Sequence, residues 1–175
     1  MLSVKLSRGV TLIEMIVVVA ILAILVAIAA PSFTIMLANA QIRTAAQAIH
    51  DGLQLARVEA IRQNGRVIFT KNALSGWTLS TEPILSTIQT RSSQEGSQVA
   101  TVLVTPSAAT KVTFNSLGRV VPNTDTTASI SQLDIDVPSS LIPAADSRQL
   151  RINVSAGGAI RLCDPNSLSG TGTAC

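Results

Sequence analysis

From Met15 to Ala30 the chain carries no polar side chain. Followed upstream to Val10, the apolar segment is interrupted only by Thr11 and Glu14. A helix of about twenty-one residues is ~31 Å long, which is one hydrocarbon core. The flank before it, residues 1–8, holds Lys5 and Arg8 and no acid. Cations on that side keep it in the cytoplasm and send the remainder across the membrane. At 175 residues, the chain has room beyond this segment for one ordinary domain.

A basic start followed by an apolar run fits three readings. It could be a secretory signal peptide, removed near the small residues Ala27-Ile28-Ala29, or a plain membrane anchor. It could also be a short leader that is cut off while the apolar part is kept. Glu14 separates them. A signal peptide gains nothing from a carboxylate in its apolar region, and a charge at mid-membrane costs roughly 2.5–3.5 kcal/mol on insertion scales. A cation at the same depth would compensate. Near the cytoplasmic end, snorkelling to the headgroups would lower the cost instead.

Arg8-Gly9-Val10-Thr11-Leu12-Ile13-Glu14 closely resembles the processing site of type IV pilins and type II secretion pseudopilins, with Val10 where the usual form has phenylalanine. The resemblance implies that residues 1–9 are a cleaved leader. A prepilin peptidase would cut between Gly9 and Val10 and methylate the new amine of Val10. Glu14 would pair with that amine, on its own chain or on a neighbour, and so align an incoming subunit during filament assembly. Pro31 falls where pilins commonly carry a kinking proline, and its missing backbone donor is expected to kink the helix.

Beyond Pro31 the pattern becomes amphipathic. Ile42, Ala46, Ile49, Leu53, Ala56 and Ala60 recur at spacings of three or four, while Arg43, Gln47, Asp51, Gln54 and Arg62 lie largely off that stripe. Asn64-Gly65 reads as the stop, with Gly65 as the left-handed cap. The lone His50 has no cysteine or acidic cluster at metal spacing and reads as an ordinary helix residue.

From Val67 onward the chain reads as short strands: residues 67–70, 77–80, 99–104, 111–114, 130–137, 150–154 and 159–163, separated by turn signals. Strict alternation in residues 133–137 and 150–154 marks half-buried strands. Residues 82–98 and 122–129, rich in Ser, Thr and Gln, read as exposed loops. The expected architecture is α+β. A long N-terminal helical spine, with a membrane half (10–38) and an amphipathic half (39–64), packs on a small antiparallel head (66–175) built as two sheets. Residues 39–175 together form the globular unit.

Cys163 and Cys175 would close a loop of about thirteen residues in an oxidising compartment, a bridge worth about 3 kcal/mol. A free thiol pair or a two-cysteine zinc site are the alternatives; no further ligand set accompanies them, so no metal is expected.

Composition argues against several function classes. Thirteen Lys and Arg face ten acids, and without Lys5 and Arg8 the excess is one charge, so the pI of 9.4 does not announce a polyanion partner. There is no Ser/His/Asp set, phosphate loop or metal motif, and the paired Asp134 and Asp136 read as a solvated strand face. The chain is read as a non-enzyme without cofactor.

A second resemblance covers the head. Leu55-Ala56-Arg57-Val58-Glu59-Ala60-Ile61-Arg62-Gln63-Asn64, Gly76-Trp77, Val112 to Arg119 and Ile160 to Pro165 are similar to the minor pilin FimT/FimU group, related to the minor pseudopilin GspH. It implies a low-abundance inner-membrane subunit, N-terminus cytoplasmic and head periplasmic, that primes or caps a thin retractable pilus on the cell surface. Its partners would be other minor and major pilins, prepilin peptidase, the inner-membrane assembly platform and membrane lipid. Two alternatives come with the group: a pseudopilin of type II secretion, and a DNA-binding pilin for natural transformation. The DNA motif of the group, roughly Gly-Arg-x-Arg, reads Gly158-Ala159-Ile160-Arg161 here, keeping only the last arginine. Arg148, Arg151 and Arg161 could form a small basic patch if 149–154 and 159–163 pair as a hairpin. Three phosphate contacts would give weak binding with a salt slope of about −3 at most, and no aromatic lies near to stack on bases.

Overall fold

A computed structural model describes residues 9–168 and 172–175, with the side chain of Pro31 also outside the description. The expected leader, Lys5 and Arg8 included, therefore falls outside the described residues except for Gly9.

One helix, α1 (Leu12–Arg62), runs through both halves of the predicted spine, ~77 Å at 1.5 Å per residue. It passes position 31 without a break. Its first half is bare: Leu12, Ile16, Val26, Ile28 and Phe33 are all exposed. From Ala38 onward one stripe is buried, and Ile42, Ala46, Ile49, Leu53, Ala56 and Ala60 are each fully covered. Alanine at every second or third place in that stripe lets the sheets approach the helix axis closely. The helix stops one residue earlier in conformation than expected. Asn64, not Gly65, takes the left-handed turn (φ 47°), and the Gly65 N–H donates to the Ala60 carbonyl at 3.0 Å. Asn tolerates this region because its short polar side chain costs little there.

Among the described residues nine strands follow: β1 (Arg66–Lys71), β2 (Trp77–Glu82), β3 (Thr87–Arg91), β4 (Thr101–Thr105), β5 (Lys111–Phe114), β6 (Val120–Val121), β7 (Gln132–Asp136), β8 (Leu150–Val154) and β9 (Ile160–Cys163). They form two antiparallel sheets, ordered β3-β2-β1-β5-β6 and β4-β7-β8-β9. Register places Phe69 beside Leu79 and Val112, and Leu133 beside Ile152, so each inner face meets the helix stripe. The expected α+β architecture with two sheets is what the chain adopts.

β3 corrects the expectation of a loop over 82–98. Its residues are mostly polar, but it is an edge strand needing one ladder only. It pairs with β2 through a register shift at Leu79/Ser80, and Ile88 supplies the packing. β6 is two residues long and gave no periodic signal.

Two close approaches lock helix to head. The Trp77 indole N–H donates to the Ala48 carbonyl at 3.0 Å, and its ring lies over Gly52, where a Cβ would meet it at 2.7 Å. Glycine inside a helix costs about 1 kcal/mol relative to alanine, and here it makes room for the indole. At the far end, Arg57 Nε donates to the Gly118 carbonyl at 3.2 Å. The turn after β8 is pressed onto that same carbonyl. Gly158 has φ +83°, and a Cβ there would lie 1.8 Å from the Gly118 oxygen. Helix, first sheet and second sheet thus meet at Arg57, Gly118 and Gly158.

Gly158→Ala is expected to destabilise the protein by more than about 2 kcal/mol, since strain and backbone collision combine. Gly157→Ala, whose Cβ would have its nearest neighbour at 3.8 Å, should stay within about 1 kcal/mol. Chemical denaturation of the two variants side by side checks this.

Candidate functional site

The start of α1 is organised around Glu14. Thr11 is the N-cap, in an extended conformation (φ −82°, ψ 153°). The Glu14 N–H donates to Thr11 Oγ1 at 3.3 Å, and the Thr11 N–H donates to Glu14 Oε2 at 3.5 Å. This reciprocal capping box was legible as Thr-x-x-Glu but escaped the sequence reading, which took the acid only as an intramembrane charge. The box bends the carboxylate back toward the helix N-terminus, where unpaired N–H groups favour negative charge. Its Oε2 reaches the backbone nitrogen next to that of Val10. A Cβ at Gly9 would meet nothing within 4 Å among the described residues.

At the other end of the head, Cys163 and Cys175 are joined, with Cα atoms 5.1 Å apart and a sequence separation of 12. The bond ties the tail alongside β9, where the Asp164 N–H donates to the Thr173 carbonyl at 2.8 Å and Asp164 bridges Ala174.

The hairpin expected around the arginines forms as β8 and β9, but the three side chains do not converge. Arg151 and Arg161 share the outer face of the second sheet, since Arg151 pairs with Cys163 and Asn153 with Arg161. Arg151 is neutralised by Asp134, at 2.5 Å between Nε and Oδ1. Arg148 lies against the helix instead: its backbone N–H donates to Asn39 Oδ1 at 2.8 Å, and the residue lines a cleft with Arg43. Arg161 remains exposed without an ion-pair partner among the described residues. The predicted solvated face of Asp134 and Asp136 is bonded as well. Gln132 donates to Asp134 at 2.7 Å, and Asp136 accepts from the Val137 N–H and from Ser147. His50 contacts Asp51 at 3.3 Å, and among the described residues no group of three or more His, Cys, Asp or Glu could hold a metal.

The 122–129 loop is organised by Asp125. Lys111 and Thr127 both donate to its carboxylate, which holds the carboxyl down from an ordinary 3.8 to about 2. A depressed folded value means that the pair stabilises the loop above the unfolded pKa and stops doing so as pH falls toward 2.

Residues 45–158 match the family model described as type II transport protein GspH, and residues 4–30 match the prokaryotic N-terminal methylation motif. Two crystal forms of the type IV minor pilin FimU from Pseudomonas aeruginosa (strain PAO1) share the fold. Their TM-scores are 0.52 and 0.51 at 16% and 17% identity. The alignments cover 72% and 71% of this chain and 90% and 94% of those chains. No curated protein matches.

Two outcomes are expected. In an NMR pH titration, Asp125 should change protonation near pH 2, and Lys111→Met should raise that midpoint toward the ordinary value. Cys175→Ser should lower head stability by about 3 kcal/mol, read by denaturation under non-reducing conditions.

Proposed function

The chain belongs to the GspH family, in the group of minor type IV pilins and pseudopilins, and from that premise we propose that it primes or caps assembly of a retractable pilus. The observation that carries this reading is the position of Glu14, whose carboxylate is already turned onto the backbone beside Val10. Cutting after Gly9 converts the Val10 amide nitrogen into a cationic amine. That creates a counter-charge at the depth of the acid, and a donor that is itself charged holds the carboxylate more strongly than the uncharged Thr11 N–H does. The pairing can be satisfied within one chain or by the amine of a neighbour entering the filament. The second arrangement aligns two spines in the membrane.

The rest of the proposal follows from the spine. A prepilin peptidase removes residues 1–9 and methylates Val10; the apolar half holds the subunit in the inner membrane with its head in the periplasm. The assembly platform then passes it to other minor and major pilins at the cell surface. Work is done by packing, not by turnover. Pro31 would supply flexibility at the membrane exit. The pseudopilin reading is favoured by the family description itself. Of the three arginines of the DNA reading, Arg151 is committed to Asp134, and Arg148 sits on the helix side, away from Arg161 on β9.

Mass spectrometry of the mature protein is expected to find N-methylated Val10 as the first residue; an intact Met1 or a start near Ala30 would overturn the mechanism. Glu14→Ala should leave processing intact and remove the protein from sheared pili. Incorporation at the wild-type level would contradict the assembly role. Loss of exoprotein release, with pili unaffected, on deletion would favour the pseudopilin reading instead.

A further inference from the structure

A shallow, open apolar groove runs along α1 just before its buried stripe begins, formed by Val26, Ala29, Ala30, Ser32, Phe33 and Met36 of the helix itself. Met36 also lines a second cleft, of about 280 Å³, with Asn39, Ala40, Arg43 and Arg148. The two are continuous through that methionine. Asn39 builds the junction. Its Nδ2 donates to the Asp146 carbonyl at 2.9 Å and its Oδ1 accepts the Arg148 N–H at 2.8 Å, so the loop before β8 is clamped on the helix. The clamp holds Arg148, by its backbone, at the cleft that Arg43 also lines.

Neither Arg43 nor Arg148 forms an ion pair among the described residues, a condition they share with Arg57, Lys71, Arg119 and Arg161; what sets the two apart is that both line one cleft. Asp146 and Asp164 line a neighbouring cleft with Arg148, and neither pairs with it. Two exposed like charges converging on one cleft favour an anion between them. Depth says which anion. If the hydrocarbon core begins at Leu12, about 30 Å of helix brings it to Ser32. Met36, Ala40 and Arg43 then share a face at the outer headgroup layer, and a helical side chain leans toward the N-terminus, here toward the bilayer.

We propose that this surface binds one phospholipid, its acyl chain along the groove from Val26 to Met36 and its phosphate between Arg43 and Arg148. The inference rests on the reading that the first half of α1 lies in the membrane. The contact would hold the underside of the head against the bilayer and fix its orientation before assembly. Extraction into a filament would have to break it. Free phosphate offers the same headgroup chemistry without the chain, so the groove is what distinguishes the two.

The test uses the full-length chain in nanodiscs of phosphatidylethanolamine and phosphatidylglycerol, with native mass spectrometry counting lipid retained on release. Wild type is expected to keep one phosphatidylglycerol. Arg43→Gln/Arg148→Gln, at two exposed positions, should reduce that retention about tenfold by removing two charge-assisted contacts. Arg161→Gln should leave it unchanged. An excess of inorganic phosphate should fail to displace the lipid. Equal retention in the double variant would overturn the lipid site while leaving the membrane reading intact. Displacement by inorganic phosphate would reassign the cleft to a free anion and overturn it likewise. Failure of wild type to enter the nanodisc would overturn the membrane reading, and the site with it.

Discussion

An α-helix satisfies its own backbone hydrogen bonds whether lipid or water surrounds it, and this allows one element to be both membrane segment and core of the head. The changeover is written in side chains alone. Up to Phe33 every face of α1 is bare, and from Ala38 a narrow stripe is sealed by two sheets. Nothing else in the head reaches so many partners. Trp77 from β2 caps the carbonyl of Ala48, Arg57 holds the turn after β5, and Asn39 holds the loop before β8. The two sheets are separate ladders, held relative to one another by the rod that both cover and by the turn contacts at Gly118 and Gly158.

That dependence explains where the glycines sit. Gly52 and Gly118 occur where a ring or a guanidinium must come close to backbone, and Gly158 where two turns touch. The chain segments that resemble a family signature, Leu55 to Asn64 and Val112 to Arg119, meet at this junction. Their likeness therefore reflects the packing of sheets on helix as much as any surface task.

What was legible in the sequence was periodic. The stripe from Ile42 to Ala60 and the alternation in β7 and β8 declare themselves because each buries one face against the same core. β3 did not, because an edge strand with Thr87, Gln89, Thr90 and Arg91 buries almost nothing and is defined by the partner it borders. The left-handed residue at the helix end was misplaced by one, because Asn and Gly stand side by side and both tolerate it. The reciprocal bonding of Thr11 and Glu14 was local and readable. The same acid in an apolar run also reads as a membrane charge, and that reading masks the cap.

The arginines show the opposite case, in which composition is uninformative and topology decides. Arg148 and Arg151 are three residues apart, yet the start of β8 sends one to the helix and one to the outer sheet face. Pairing then removes Arg151 from the pool of free charge, as Glu59 does for Arg62 and Glu82 for Arg66. The small net charge of the head is thus spread as local pairs, and the cations left over have positional meaning. Arg43 and Arg148 stand together where the bare helix enters the head, and Arg161 stands apart on β9. At the boundary between the bare and the buried parts of α1, such charges can be engaged without unsettling the packed core above.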